Sequence, residues 1–177
     1  AFPTPEIGEN FEEIFEETVK LNTLDNQAYE QVQQNIIDVL DRSDYVMIKG
    51  MNGNHTDLKV KLISLGNEQK ETKFENCVAD VNIPVGEVFT SPELKGTQGV
   101  LHVKEAFLHD LNYKNLEIIF QDGCIADYSC SNFVSEEKNK AYFKENIMQN
   151  RETLPLGEFA IGTNTIAYVM ARKYNIL

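Results

Sequence analysis

Two glutamates stand in matching frames. Glu87 lies within Asn82-Ile83-Pro84-Val85-Gly86-Glu87-Val88-Phe89-Thr90-Ser91-Pro92, and Glu158 within Leu154-Pro155-Leu156-Gly157-Glu158-Phe159-Ala160-Ile161-Gly162-Thr163-Asn164. Each follows a glycine and opens an apolar run. Pro-Val-Gly ahead of Glu-Val-Phe-Thr reads as a turn feeding a short extended segment. A carboxylate in so apolar a setting needs a partner, because burying it unpaired is costly. A metal ion is one such partner, and two Gly-Glu-apolar elements in one chain suggest a shared carboxylate site. Structural roles stand beside that reading: Glu87 accepting backbone N–H bonds in its turn, and Glu158 stabilising the terminus of a following helix. Gly-Glu by itself does not choose between them.

Other chemistries leave weaker marks. The phosphate-binding G-x-x-x-x-G-K-[ST] loop, a Gly-rich dinucleotide turn after a strand and the G-x-S-x-G elbow are all absent. Cys77, Cys124 and Cys130 are few and odd in number, without a C-x-x-C pair, and read as free thiols of a reducing cytosol. A Cys77 nucleophile paired with a histidine is a third reading, with no local signature behind it. His55 lies in a Gly/Asn turn, His102 within a strand and His109 near a loop. His55 reads as a turn histidine with a ligand role as its alternative, whereas His102 and His109, without a second histidine at i+4 or a nearby carboxylate at ligand spacing, read as core or surface histidines.

The elements that must position these residues follow from periodicity. Ile7, Phe11, Ile14, Phe15 and Thr18 recur at helical spacing, with Glu12, Glu13, Glu16 and Glu17 as the solvated face. Asp25 or Asn26 caps a second helix with the stripe Ala28, Val32, Ile36, Val39 and Leu40. After Arg42-Ser43-Asp44 the period changes to that of strands. Tyr45–Ile48 is a short run, Gly50–Gly53 a turn, and Leu58, Val60 and Leu62 alternate with Asp57, Lys59 and Lys61. Gly99–Val103 reads as a further short strand. Leu116–Phe120 and Cys124–Tyr128 flank Asp122-Gly123, the strong two-residue hairpin signal. Ser135 caps a helix reaching about Asn150. Thr163 or Asn164 caps a last one carrying Ile166, Val169 and Met170. The expected class is α+β: a helical leader (1–43), then a mixed or antiparallel sheet with flanking helices.

At 177 residues the chain is long enough to bury a core. Its net charge of −12 disfavours nucleic acid and anionic membrane as partners, both of which need clustered Lys/Arg, and is compatible with binding cations. No run approaches the ~20 apolar residues that cross a bilayer, and no basic-then-apolar leader opens the chain. A cytoplasmic location is therefore expected. The start without Met and the stop at Leu177, straight after a helical pattern, read as cuts.

The two glutamate segments together resemble the paired glutamate motifs of the thermophilic aminopeptidase family, the aminopeptidase T/S type of leucyl aminopeptidase. Thr56-Asp57-Leu58 resembles a third family element. The likeness runs from about residue 44 to the end, in order and with matching spacing, and the tail is similar to a divergent branch. The resemblance implies a dinuclear metallopeptidase in which Glu87 and Glu158 are metal ligands. It implies two divalent ions (Zn, Co, Mn or Mg), a peptide substrate cleaved at its N-terminus and a homodimer. It also implies that residues 44–177 are the N-terminal part of a catalytic domain, since the remaining ligands, a His and a His-x-Asp pair, follow the Gly-Thr-Asn element. By that reading the chain alone binds metal weakly and does not hydrolyse peptides. The competing class is a binding module that keeps the fold without a complete metal site.

Overall fold

The computed structural model describes residues 10–67, 70–79, 84–108 and 111–174. Ile7 and His109, and Asn82 and Ile83 of the first motif, lie outside these. The fold is α+β. In chain order the elements are α1 (Phe11–Asn22), α2 (Asn26–Leu40), β1 (Tyr45–Lys49), β2 (Asp57–Lys61), β3 (Glu75–Cys77), β4 (Glu87–Thr90), β5 (Glu93–Leu108), β6 (Leu111–Gln121), β7 (Cys124–Ser129), α3 (Glu136–Phe143), β8 (Phe159–Gly162) and α4 (Thr165–Lys173). They fall into two compact units: Ser43–Ser64 with Ser91–Phe159, and Ala1–Arg42 with Leu65–Thr90 and Ala160–Leu177.

The first of these units is built on the antiparallel sheet β1-β2-β5-β6-β7. The alternation in β2 holds: Leu58, Val60 and the following Leu62 are buried while Asp57 points outward. The short strand expected at Gly99–Val103 is instead the sixteen-residue β5. Gly96 and Gly99 read as strand breakers, yet both sit in left-handed backbone (φ +94° and +131°) where β5 bulges against β2. A side chain on Gly99 would run into the Asp57 carbonyl, so the glycine permits the close approach. Thr97, wholly buried, repairs the bulge. Its hydroxyl accepts the Lys61 N–H (2.9 Å) and donates to the Glu93 carbonyl (2.7 Å).

The β6–β7 hairpin turns at Asp122-Gly123 as the pattern predicts, both residues at positive φ, and its strands extend beyond the expected runs. Ser135 caps α3 by accepting the Lys138 N–H (3.3 Å). The α-helix stops at Phe143 rather than near Asn150. A π-helical turn, Lys144–Met148, follows, and the chain leaves it through Gln149 and Asn150 in left-handed backbone. Tyr113, Leu116, Cys130, Phe143 and Met148 form the core here, and Tyr128 stacks on Phe143 at 4.3 Å. A second cluster gathers Leu58, Val60 and Phe120.

The other unit carries α1, α2, α4 and the small sheet β3-β4-β8, in which β3 and β4 run antiparallel. Asp25, not Asn26, caps α2 by accepting the Ala28 N–H. The buried face of α2 differs from the expected stripe: Gln33 and Ile37 are inside, whereas Val32 and Val39 stand 54% and 56% exposed. The buried face is the one on which Gln33 makes its hydrogen bonds to Asn76, Glu87 and Thr163. In α1 the expected Thr18 is buried, together with Leu21, and the correction concerns Phe15, which stands exposed. It applies also to α4, where Ile166 and Val169 are exposed.

Candidate functional site

Glu87 is the first residue of β4, half-buried, and pairs across the ladder with Cys77 of β3. Glu158 is exposed and immediately precedes β8, the strand beside β4 in the small sheet. Asn164, not Glu158, caps α4, accepting the Ala167 N–H at 3.1 Å.

What the structure brings together is the backbone of the two motifs. The Thr163 N–H donates to the Gly86 carbonyl at 2.9 Å. The Asn164 amide donates to Val85 (3.0 Å) and to Leu21 at the end of α1 (2.9 Å). Gly86 stands at φ +96°, and a Cβ there would lie 3.1 Å from the Thr163 hydroxyl, so the motif glycine allows both the left-handed turn and this contact.

Gln33 of α2 closes the knot, with no exposed surface. Its Nε2 donates to the Glu87 carbonyl (3.2 Å) and to Asn76 Oδ1 (2.7 Å); its Oε1 accepts the Thr163 hydroxyl at 2.7 Å. Asn76 in turn donates to the Glu30 carbonyl and to Gln34 of α2. Sequence reasoning missed Gln33 and Asn76. A lone polar residue beside a helical stripe reads as solvated, and only its spacing three and four residues from Ile36 and Ile37 places it on their face.

As donors, Glu87 and Glu158 are oxygen ligands of the kind hard divalent cations accept. Among the described residues no group of three or more His, Cys, Asp or Glu side chains stands together. The described residues therefore present no whole donor set for a metal ion.

The third element, Thr56-Asp57-Leu58, is tied elsewhere. The buried Thr56 hydroxyl accepts the His102 N–H (3.0 Å) and donates to the His102 carbonyl (3.1 Å), and Asp57 pairs with Lys49 at 2.8 Å. His55 and His102 stack at 4.8 Å, and the His55 N–H donates to His102 Nδ1 (3.1 Å). Sequence spacing hid this pair, whose members lie 47 residues apart. A cleft of ≈ 540 Å³ opens in the larger-sheet unit beside Tyr128, Lys140, Lys144 and Arg151, and neither Glu87 nor Glu158 lines it. No helix among the described residues is long and apolar enough to cross a membrane.

A sequence profile described as thermophilic metalloprotease (M29) matches residues 1–177. No curated protein matches significantly. Among solved structures, wild-type AmpT from Thermus thermophilus shares the fold at a TM-score of 0.63 and 17% identity, over 87% of this chain and 38% of that one. The chain thus spans well under half the length of the solved structure it resembles.

Proposed function

This chain belongs to the thermophilic metalloprotease (M29) family, and from that membership we propose that it is the glutamate-bearing part of a metal-dependent aminopeptidase. Glu87 and Glu158 are its carboxylate ligands for two divalent ions, and a peptide with a free N-terminus is its substrate. When bound, such ions acidify water and polarise the scissile carbonyl. The chain's own residues hold the ligands in place. The observation that carries the reading is the hydrogen-bonded union of the two motifs, Thr163 N–H to Gly86 and Asn164 to Val85. A coincidental pair of Gly-Glu segments has no reason to be knitted together in this way.

In this reading the 177-residue chain is inactive alone, because two carboxylates are a partial donor set. Family resemblance supports a homodimer, and the free thiols of Cys77, Cys124 and Cys130 support a cytoplasmic location. The test is hydrolysis of leucyl peptides and their N-acetylated counterparts by full-length protein, with Glu87→Gln and Glu158→Gln alongside. Turnover confined to free N-termini and reduced ~10²-fold or more by either substitution is expected, removal of a metal ligand being at least as damaging as removal of its outer partner. Ordinary turnover by the 177-residue chain, or equal cleavage of acetylated peptides, overturns it. The alternative reading is a non-catalytic binding module that keeps the fold without a complete metal site. Full-length protein that folds yet neither binds metal nor cleaves peptides would establish that instead.

A further inference from the structure

We propose that Gln33 is a positioning residue for the Glu87 carboxylate, an inference that rests on Glu87 being a metal ligand. Gln33 enters from α2, 54 residues before the strand it serves, and reaches the backbone carbonyl of Glu87 itself. Its second Nε2 bond goes to Asn76, whose register partner across the β3–β4 ladder is Val88, the residue after Glu87. Its Oε1 accepts from Thr163, whose own N–H bonds to the carbonyl of Gly86, the residue before Glu87. One side-chain amide therefore contacts the Glu87 peptide group and, through Asn76 and Thr163, grips the residues on either side.

A carboxylate's aim is set by the backbone it leaves, and in a strand neighbouring side chains point to opposite faces. Fixing the peptide on both sides of Glu87 fixes the direction in which its side chain departs. Packing alone does not call for an amide here. Position 33 is wholly buried beside Ile37, where an aliphatic residue would fill the space without needing partners. The amide finds three partners on three separate segments. Outer residues that orient metal ligands are characteristically of this kind.

The test is calorimetric titration of Mn²⁺ or Zn²⁺ into metal-free full-length protein. Gln33→Met keeps the length and apolar volume and removes all three hydrogen bonds; a loss of metal affinity of ~10-fold or more is expected. Thr163→Val releases only the Oε1 side of the amide and should give a smaller loss. Ile37→Val trims the same buried helix face one turn on, without touching the knot, and should leave affinity unchanged while lowering stability. Unchanged affinity in Gln33→Met, or an equal loss in Ile37→Val, overturns the proposal. Should Gln33→Met not fold, Thr163→Val decides by the same comparison. Glu87→Gln separates the two levels. If that substitution leaves metal affinity intact, the ligand reading fails and the proposal goes with it. If Glu87→Gln abolishes binding while Gln33→Met does not weaken it, only the positioning role is lost.

Discussion

At the scale of single residues, three buried side-chain oxygens lack a hydrogen-bond partner among the described residues, those of Asn22, Asn112 and Tyr113. The Tyr113 hydroxyl is buried in the core of the five-stranded unit and makes no hydrogen bond among the described residues. Burial pushes its pKa up to about 12, with Tyr142 and Cys130 adding to the rise. The neutral form is the one the fold accepts. Stability from this group is therefore intact below the unfolded value near 10 and declines as pH rises from there towards 12. Tyr113→Phe deletes a hydroxyl without a partner, so it should be neutral or stabilising by up to about 1–2 kcal/mol. It should also flatten the alkaline limb of a stability–pH curve measured by urea denaturation. Gly99 predicts the opposite sign. Gly99→Ala would bring Cβ against the Asp57 carbonyl from a positive-φ position, and a loss of about 2–4 kcal/mol with a lowered Tm is expected.

At the scale of elements, helix ends and pairings set the predictions. Asn164 caps α4 and also binds Leu21 and Val85, so Asn164→Ala should cost about 2–4 kcal/mol, more than an ordinary cap, in thermal unfolding. The α1–α4 contact is ionic. Lys173 and Tyr174 donate to Glu13 at 2.8 and 3.0 Å, and these bonds, that of Lys173 first, hold the Glu13 carboxyl below the usual range. A depressed carboxylate contributes above its unfolded pKa and loses that contribution as pH falls through its folded value. Protection of the α4 amides, taken relative to the intrinsic exchange rate at each pH, should accordingly fall on acidification, and Glu13→Gln should remove most of that pH dependence.

Legibility in the sequence follows the same physics. Alternation in β2 and the Asp122-Gly123 turn were readable because each is a local pattern with a single solution. The span of β5 was not, because Gly96 and Gly99 signal an ending unless the bulge they permit is already known. Nor was the inner face of α2. Val32 and Val39 satisfy helical periodicity as well as Ile37 does, and the tie is broken by Gln33 bonding to segments far along the chain. The glutamate motifs were legible as motifs. Their mutual hydrogen bonds, and the glutamine beneath them, were not.

At the scale of the molecule, the chain interleaves its two units. β2 and β5 are paired neighbours, with Lys61 opposite Glu93, and residues 65–90 of the other unit are inserted between them. Every strand of the five-stranded sheet thus keeps its neighbours if that insertion is excised. A chain made of residues 43–64 joined by a short turn to 91–159 should fold alone, with cooperative unfolding and dispersed amide resonances. A molten or insoluble product would show that this unit depends on the other. The excised segment carries Glu87, so the spliced chain should also bind no metal.

The bond from Asn164 to Val85 spans 79 residues, and that from Thr163 to Gln33 spans 130. On a ribosome adding about 5–20 residues per second, the partners that clasp the Glu87 turn therefore arrive roughly 4–16 s after the turn itself has been made. Through that interval the nascent chain carries a carboxylate whose final orientation has not been set. The order of synthesis becomes a timer: the proposed ion-binding face matures only when the second motif has emerged, late in translation of this stretch.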